Sequence, residues 1–117
     1  MIRRKNELRN EVKMDMRGGK GAAAFNYFLE ETEAQGSGRI FSRTEFEPGC
    51  SIGYHKHEGE LEIFYITAGT AKVCDNGTDY ILKAGDTHTC FDGGSHSIEN
   101  TGSDKLEFLA LVLYTQK

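Results

Sequence analysis

From about residue 38 onward the chain is a series of short runs that mix apolar and polar positions in alternation, with glycine between them. The runs are RIFSRTEF, SIGYHKH, LEIFYIT, TAKVCD, DYILK, THTCF, SHSIEN and LEFLALVLY. Successive residues of an extended chain point to opposite faces, so each run predicts a β-strand with one face towards a core. Their spacing is close to the ~8–12 residues of an all-β sandwich or barrel. Asn76-Gly77 can adopt positive φ at both positions and predicts a two-residue hairpin between TAKVCD and TDYILK. In LEIFYIT, Glu62, Phe64 and Ile66 share one face, opposite Ile63 and Tyr65. In LEFLALVLY, Leu106, Phe108, Ala110 and Val112 share one face, and Leu109, Leu111 and Leu113 the other. A small closed sheet has one interior, so the second apolar face is expected to meet another copy of the chain in a homodimer. A C-terminal helix is the competing reading of this run; the β character of its flanks favours strand.

The N-terminal third is patterned less regularly. NEVKMDM alternates like a strand, and GGKG at residues 18–21 reads as a flexible turn. AAAFNYFLEETEAQ suits a helix by propensity, but Phe25, Tyr27 and Leu29 alternate, which favours a strand through FNYFL followed by a loop. The expected organisation is one domain, with residues 1–37 as an N-terminal arm and leading strands and residues 38–117 as the barrel core.

A chain of 117 residues is long enough for one core. Its net charge of −4 argues against a nucleic-acid binder. The charge is uneven: residues 1–20 hold seven of the fourteen basic residues against three acidic ones, so that segment is +4 and the remainder −8. A basic arm could touch nucleic acid or anionic lipid; the simpler reading is a solvated leader packed against the acidic remainder. No apolar run approaches the ~20 residues of a membrane span. MIRRKNELRN has the charges of a signal peptide without the apolar stretch behind them. Cys50, Cys74 and Cys90 fit no metal-ribbon spacing, and reduced thiols in the cytoplasm are the expectation.

The candidate chemistry lies in GCSIGYHKHEGELEIFYITAG, residues 49–69. On an extended strand His55 and His57 point to the same face, about 6.5–7 Å apart at Cα. That spacing allows two ring nitrogens to converge on one ion at about 2.0–2.2 Å. Glu62 follows past the turn EGE, where an antiparallel neighbour would carry it back beside the pair. His96, in GGSHSIEN, could add a third imidazole from a further strand.

These residues fall into two ordered patterns, and in them the chain resembles the cupin family. Gly49, His55, His57, Glu62 and Gly69 occupy every fixed position of the family's first motif, G-x5-H-x-H-x4-E-x6-G. Gly85, Gly93, His96 and Asn100 match its second, G-x5-P-x-G-x2-H-x3-N; Phe91 stands where the family usually has proline. Phe91 leaves that turn without proline's stiffness and could bring a ring to the pocket mouth. The resemblance implies a single-domain antiparallel jelly-roll barrel, also called a double-stranded β-helix, usually dimeric. It implies that His55, His57, Glu62 and His96 bind a divalent transition metal inside the barrel: Mn, Fe, Ni, Co, Cu or Zn. Small bacterial cupins labelled oxalate-decarboxylase-like look most similar. The expected function is metal-dependent chemistry on a small carboxylate or other oxygen-rich substrate, as a decarboxylase or dioxygenase. The alternative is a non-catalytic binding or sensing module anchored by the metal.

Other residues have quieter readings. His88 lies outside the motifs and is expected to be exposed or hydrogen-bonded. Cys90 reads as a core or surface thiol. Alternation does not decide whether Glu58 or Glu60 supplements Glu62. Tyr54 and Tyr65 could line a subunit contact. Arg39 and Arg43 could hold a substrate carboxylate, with surface charge as the simpler reading.

Overall fold

The predicted strands all form in a computed structural model that describes residues 1–116; Lys117, the last residue of the expected barrel core, lies outside them. Ten strands follow in chain order: β1 (Arg9–Met14), β2 (Ala22–Tyr27), β3 (Gly38–Phe46), β4 (Ser51–Lys56), β5 (Glu60–Ala68), β6 (Thr70–Asp75), β7 (Thr78–Lys83), β8 (Thr87–Cys90), β9 (Ser95–Asn100) and β10 (Leu106–Tyr114). Short 3₁₀ turns occupy Lys5–Glu7, Met16–Gly18 and Glu31–Ala34. The strands form two antiparallel sheets, in the orders β1-β2-β3-β10-β5-β8 and β4-β9-β6-β7, facing each other as a jelly roll.

The burial follows the alternation. Leu106, Phe108, Ala110 and Val112 of β10 are buried, and Leu109, Leu111 and Leu113 are half-buried on the outer face. At one end of the interior Phe46, Ile66, Leu106 and Phe108 are almost fully enclosed. Phe108 meets Phe46 and Phe64 edge-on, at ring-centroid distances of 5.3 and 5.0 Å. Each such ring contributes about 1.5–3 kcal/mol by leaving water.

The arm is part of the larger sheet. β2 pairs with β3, and β1 with β2. The second strand begins three residues before FNYFL and ends at Tyr27, although the Phe28 N–H still bonds to the Phe41 carbonyl of β3 at 2.9 Å. Ala23, Phe25 and Tyr27 turn their side chains inward. Arg3 pairs with Glu33 at 2.6 Å and Arg9 with Glu30 at 2.7 Å, the packing against acidic residues that the charge asymmetry suggested. Such solvent-screened surface pairs add little, so buried Phe25 and Tyr27 do more to hold the arm.

The GGKG turn is not loose. The Ser51 N–H bonds to the Lys20 carbonyl at 2.8 Å, and the Lys20 N–H to Ser51 Oγ at 2.9 Å. A Cβ at Gly19 would overlap the Ser51 carbonyl oxygen, and one at Gly53 would overlap the carbonyl oxygen of Arg17. The turn between β1 and β2 thus lies backbone to backbone on β4. Within it Asp15 and Arg17 hold left-handed backbone, with φ of 51° and 54°, a region non-glycine residues seldom enter.

Two register shifts flank the site. Ile52 pairs with Ile98 and His55 with His96, so β4 carries one extra residue at Gly53-Tyr54. In β3, Ile40 pairs with Val112 and Gly38 with Leu113, which leaves Arg39 as the extra residue. A bulge of this kind reverses the facing of everything beyond it.

Candidate metal centre

The first bulge explains why the histidines face inward. Ile52 is a core residue, and unbroken alternation would then turn Tyr54 and Lys56 inward. The extra residue at Gly53-Tyr54 resets the phase, so Ile52, His55 and His57 all reach the interior while Tyr54 stays exposed. His96 comes from β9, the direct neighbour of β4 and opposite His55. Glu62 arrives by a route other than the expected one. Its strand, β5, lies in the other sheet and does not pair with β4, so Glu62 reaches across the interior instead of along a shared ladder.

The structure brings all four residues together, with one donor atom from each inside a 4.8 Å span. His57 Nε2 lies 3.0 Å from His96 Nε2 and 3.2 Å from Glu62 Oε1; His96 Nε2 lies 3.0 Å from the same oxygen. Adjacent ligands on an ion at about 2.1 Å are separated by about 3 Å, so this triangle fits one face of a coordination sphere. The outward nitrogens are also engaged. His55 Nδ1 lies 2.7 Å from the Gly53 carbonyl oxygen, His57 Nδ1 3.4 Å from Glu60 Oε2, and His96 Nδ1 3.2 Å from His88 Nε2. With Nδ1–H donating outward, each ring turns an Nε2 lone pair inward. Lone pairs 3.0 Å apart beside a carboxylate call for a positive charge between them, and the donor set fits a divalent metal.

The electrostatics agree. Without a cation the same nitrogens can carry protons instead: burial by itself would raise the Glu62 pKa, but hydrogen bonds donated by His57 and His96 outweigh it and hold the carboxyl at about 2. The hydrogen bond to Glu62 raises His57, whereas burial lowers His55. Phe64 stacks on His96 at 4.9 Å with the planes 8° apart and fixes the ring from the apolar side.

The remaining candidates separate clearly. His88 is hydrogen-bonded, as expected, and its partner is the buried His96. Glu60 bridges Arg39 Nε at 2.9 Å and His57 Nδ1; Glu58 is exposed and meets Lys56. Cys90 stands opposite Glu62 in the β5–β8 register as a buried thiol. Burial and the nearby Glu62 charge push its pKa up to about 11, so it stays protonated. Arg43 is directed to Asn26 and Glu45, away from the site. Phe91 is 68% exposed and does not line the cavity. Its turn is fixed without proline: Gly93 N–H bonds to the His57 carbonyl at 2.7 Å, and His57 N–H to the Gly94 carbonyl at 2.9 Å. Sequence reasoning left Glu60 open beside Glu58 and gave His88 no part in supporting the cluster. Glu58, Glu60 and Glu62 share one parity, so alternation could not separate Glu60 from the exposed Glu58, and nothing local marks His88.

A cavity of about 230 Å³ opens over the cluster. Its walls are mostly apolar, including Met16, Phe25, Ile40, Ile52 and Phe108. Its polar lining beyond the cluster is Thr44 and three cations, Lys13, Arg17 and Arg39. The second bulge is what frees Arg39 to join Ile40 on this side.

A Cupin domain profile matches residues 42–112. An oxalate-binding protein of Thermotoga maritima is 45% identical over 113 residues, covering 97% of this chain and 93% of that protein. A crystal structure from Thermotoga maritima, described as a predicted oxalate decarboxylase, superposes with a TM-score of 0.92 at 45% identity, covering 97% of this chain and 99% of the other. A putative sugar phosphate isomerase of Acidithiobacillus ferrooxidans superposes with a TM-score of 0.77 at 19% identity, covering 96% of this chain and 74% of that one, and shares the fold alone.

Proposed function

Since the chain belongs to the cupin domain family, we propose that it binds a small carboxylate of the oxalate type through a metal held by His55, His57, Glu62 and His96. The observation that carries this reading is the cavity itself: a cluster with inward-turned lone pairs at its floor and only cations among the other charged residues that line it. Manganese and iron are the working choices within a donor set that also suits Ni, Co, Cu and Zn. When bound, such an ion supplies a Lewis acid able to accept carboxylate oxygen. The chain supplies the rest. Gly53, Glu60 and His88 hold the imidazoles in one tautomer, and the apolar walls exclude water from the anion's path.

Binding without turnover fits this lining better than catalysis. Among the described residues, no carboxylic acid besides Glu62 and no histidine outside the cluster lines the cavity, so no separate proton donor of either kind stands over the floor. The relative called an oxalate-binding protein supports the same choice. Turnover, as a decarboxylase or dioxygenase, is the second reading, drawn from the relative described as a predicted oxalate decarboxylase.

Elemental analysis of protein purified without added metal, then calorimetric titration with oxalate while CO2 release and O2 uptake are followed, separates these readings. Near-stoichiometric metal, metal-dependent oxalate binding and no gas exchange are expected. CO2 release or O2 uptake would shift the assignment to an enzyme. Failure to take up any metal, even after reconstitution, would remove both.

Three further readings accompany this one. The apolar outer cleft formed by Leu29, Phe41, Leu111 and Leu113 supports a homodimer through the larger sheet, which sedimentation would detect. The three free thiols support a reducing compartment, the cytoplasm. Residues 38–117 serve as the barrel core and residues 1–37 as the arm that completes the cavity mouth.

A further inference from the structure

We propose that the turn between β1 and β2 carries a second binding pole. Arg17, assisted by Lys13 and Arg39, takes the free end of a small dicarboxylate whose other end sits at the His55, His57, Glu62 and His96 floor. This rests on the metal-anchored reading above and adds the residues that hold the acid's far end.

Four observations converge on it. The three cations line the same cavity as the cluster, and two of them come from the arm. Their carboxylate partners differ. Arg39 is occupied by Glu60 at 2.9 Å, and Lys13 lies 3.7 Å from Glu11. Arg17, exposed at the cavity mouth, forms neither an ion pair nor a hydrogen bond with its guanidinium among the described residues, and of the three cavity cations it alone lacks a carboxylate partner. The backbone that presents Arg17 is unusual and firmly held. Its φ of 54° is uncommon for a side chain of this size, and Gly53 and Gly19 allow the turn to lie directly on β4. A costly conformation persists only where its surroundings over-determine it, and such places cluster at ligand clamps. Finally, the walls between the two poles offer little beyond Thr44 for hydrogen bonding. Sugar hydroxyls would lose their water there without replacement, whereas a short acid with charge at both ends would not. A guanidinium fork matches the planar carboxylate.

The test uses the full chain loaded with Mn(II), its metal content checked by elemental analysis. Malonate and acetate are titrated calorimetrically into the parent protein and into Arg17→Met, Arg17→Lys, Lys13→Met and Arg43→Met. The parent is expected to bind malonate about tenfold or more tightly than acetate. Arg17→Met should lose most of that preference, with acetate affinity, metal content and melting temperature unchanged. Arg17→Lys should recover part of it, Lys13→Met should lose less, and Arg43→Met should match the parent. Malonate affinity of Arg17→Met within twofold of a parent that does bind malonate would overturn the second pole and leave the metal-anchored site standing. A metal-loaded parent that binds neither acid would overturn both.

Discussion

The two ends of the barrel interior are built by opposite means. At one end Phe46, Ile66 and Leu106 pack, with Phe108 reaching on to the cavity wall, from strands whose inner residues follow plain alternation. At the other, Glu62 and His96 follow alternation, but His55 and His57 reach them only because β4 breaks its own at Gly53-Tyr54. The apolar end stabilises the fold by removing carbon from water. The polar end brings a carboxylate and three imidazoles into the same enclosure, where mutual hydrogen bonds offset part of the cost of leaving water and a bound cation would offset more. The regular half therefore provides the stability, and the irregular half spends some of it on a site.

The difference can be attacked from either side. Phe46→Ala should have the largest effect on stability, about 3–5 kcal/mol in chemical denaturation, because it opens a cavity at the regular end. Metal bound per folded molecule should not change. Glu62→Ala should do the reverse. Metal content should fall to background by elemental analysis, circular dichroism should retain the strand signal, and the stabilisation that metal gives the parent, about 4 kcal/mol at a thousandfold excess over Kd, should vanish. His88→Ala should keep the ligand set and weaken its support, lowering metal affinity about 10–100-fold in competition with a chelator.

The smallest effect should come from Tyr27 on the arm. Its hydroxyl donates to Glu11 at 2.6 Å, and burial, followed by that hydrogen bond, pushes its pKa up to about 12 from 10.0. A folded pKa above the unfolded one stabilises the protein below pH 10, and this contribution is lost as pH rises through 12. Tyr27→Phe should cost about 1 kcal/mol at neutral pH and flatten the stability profile between those limits, as read from urea midpoints.

The regular half was legible because period-two alternation is a local signal. LEFLALVLY and LEIFYIT sorted their inner and outer residues correctly. The four residues of the cluster were legible through the order of histidines, glutamate and glycines in the two motifs. How they meet was not. A one-residue bulge leaves no mark in hydrophobic pattern, so neither the phase reset ahead of His55 nor the release of Arg39 could be read. The sheet partner of β5 is likewise a matter of topology, which is why Glu62 was expected beside β4 and arrives from across the barrel. The firmness of the Phe91 turn was hidden for a related reason: its restraints are backbone bonds to His57, remote in sequence and independent of side-chain type.

Gly53 joins two parts of the molecule that sequence order separates. Its carbonyl steadies the His55 ring, and its bare Cα is the bearing surface for the Arg17 peptide. If the proposed two-pole site forms, an acid that tightened the arm against this point would stiffen a donor of the cation beneath it. By thermodynamic reciprocity the cation would then favour the acid by the same factor, so that loading at either place would prime the other.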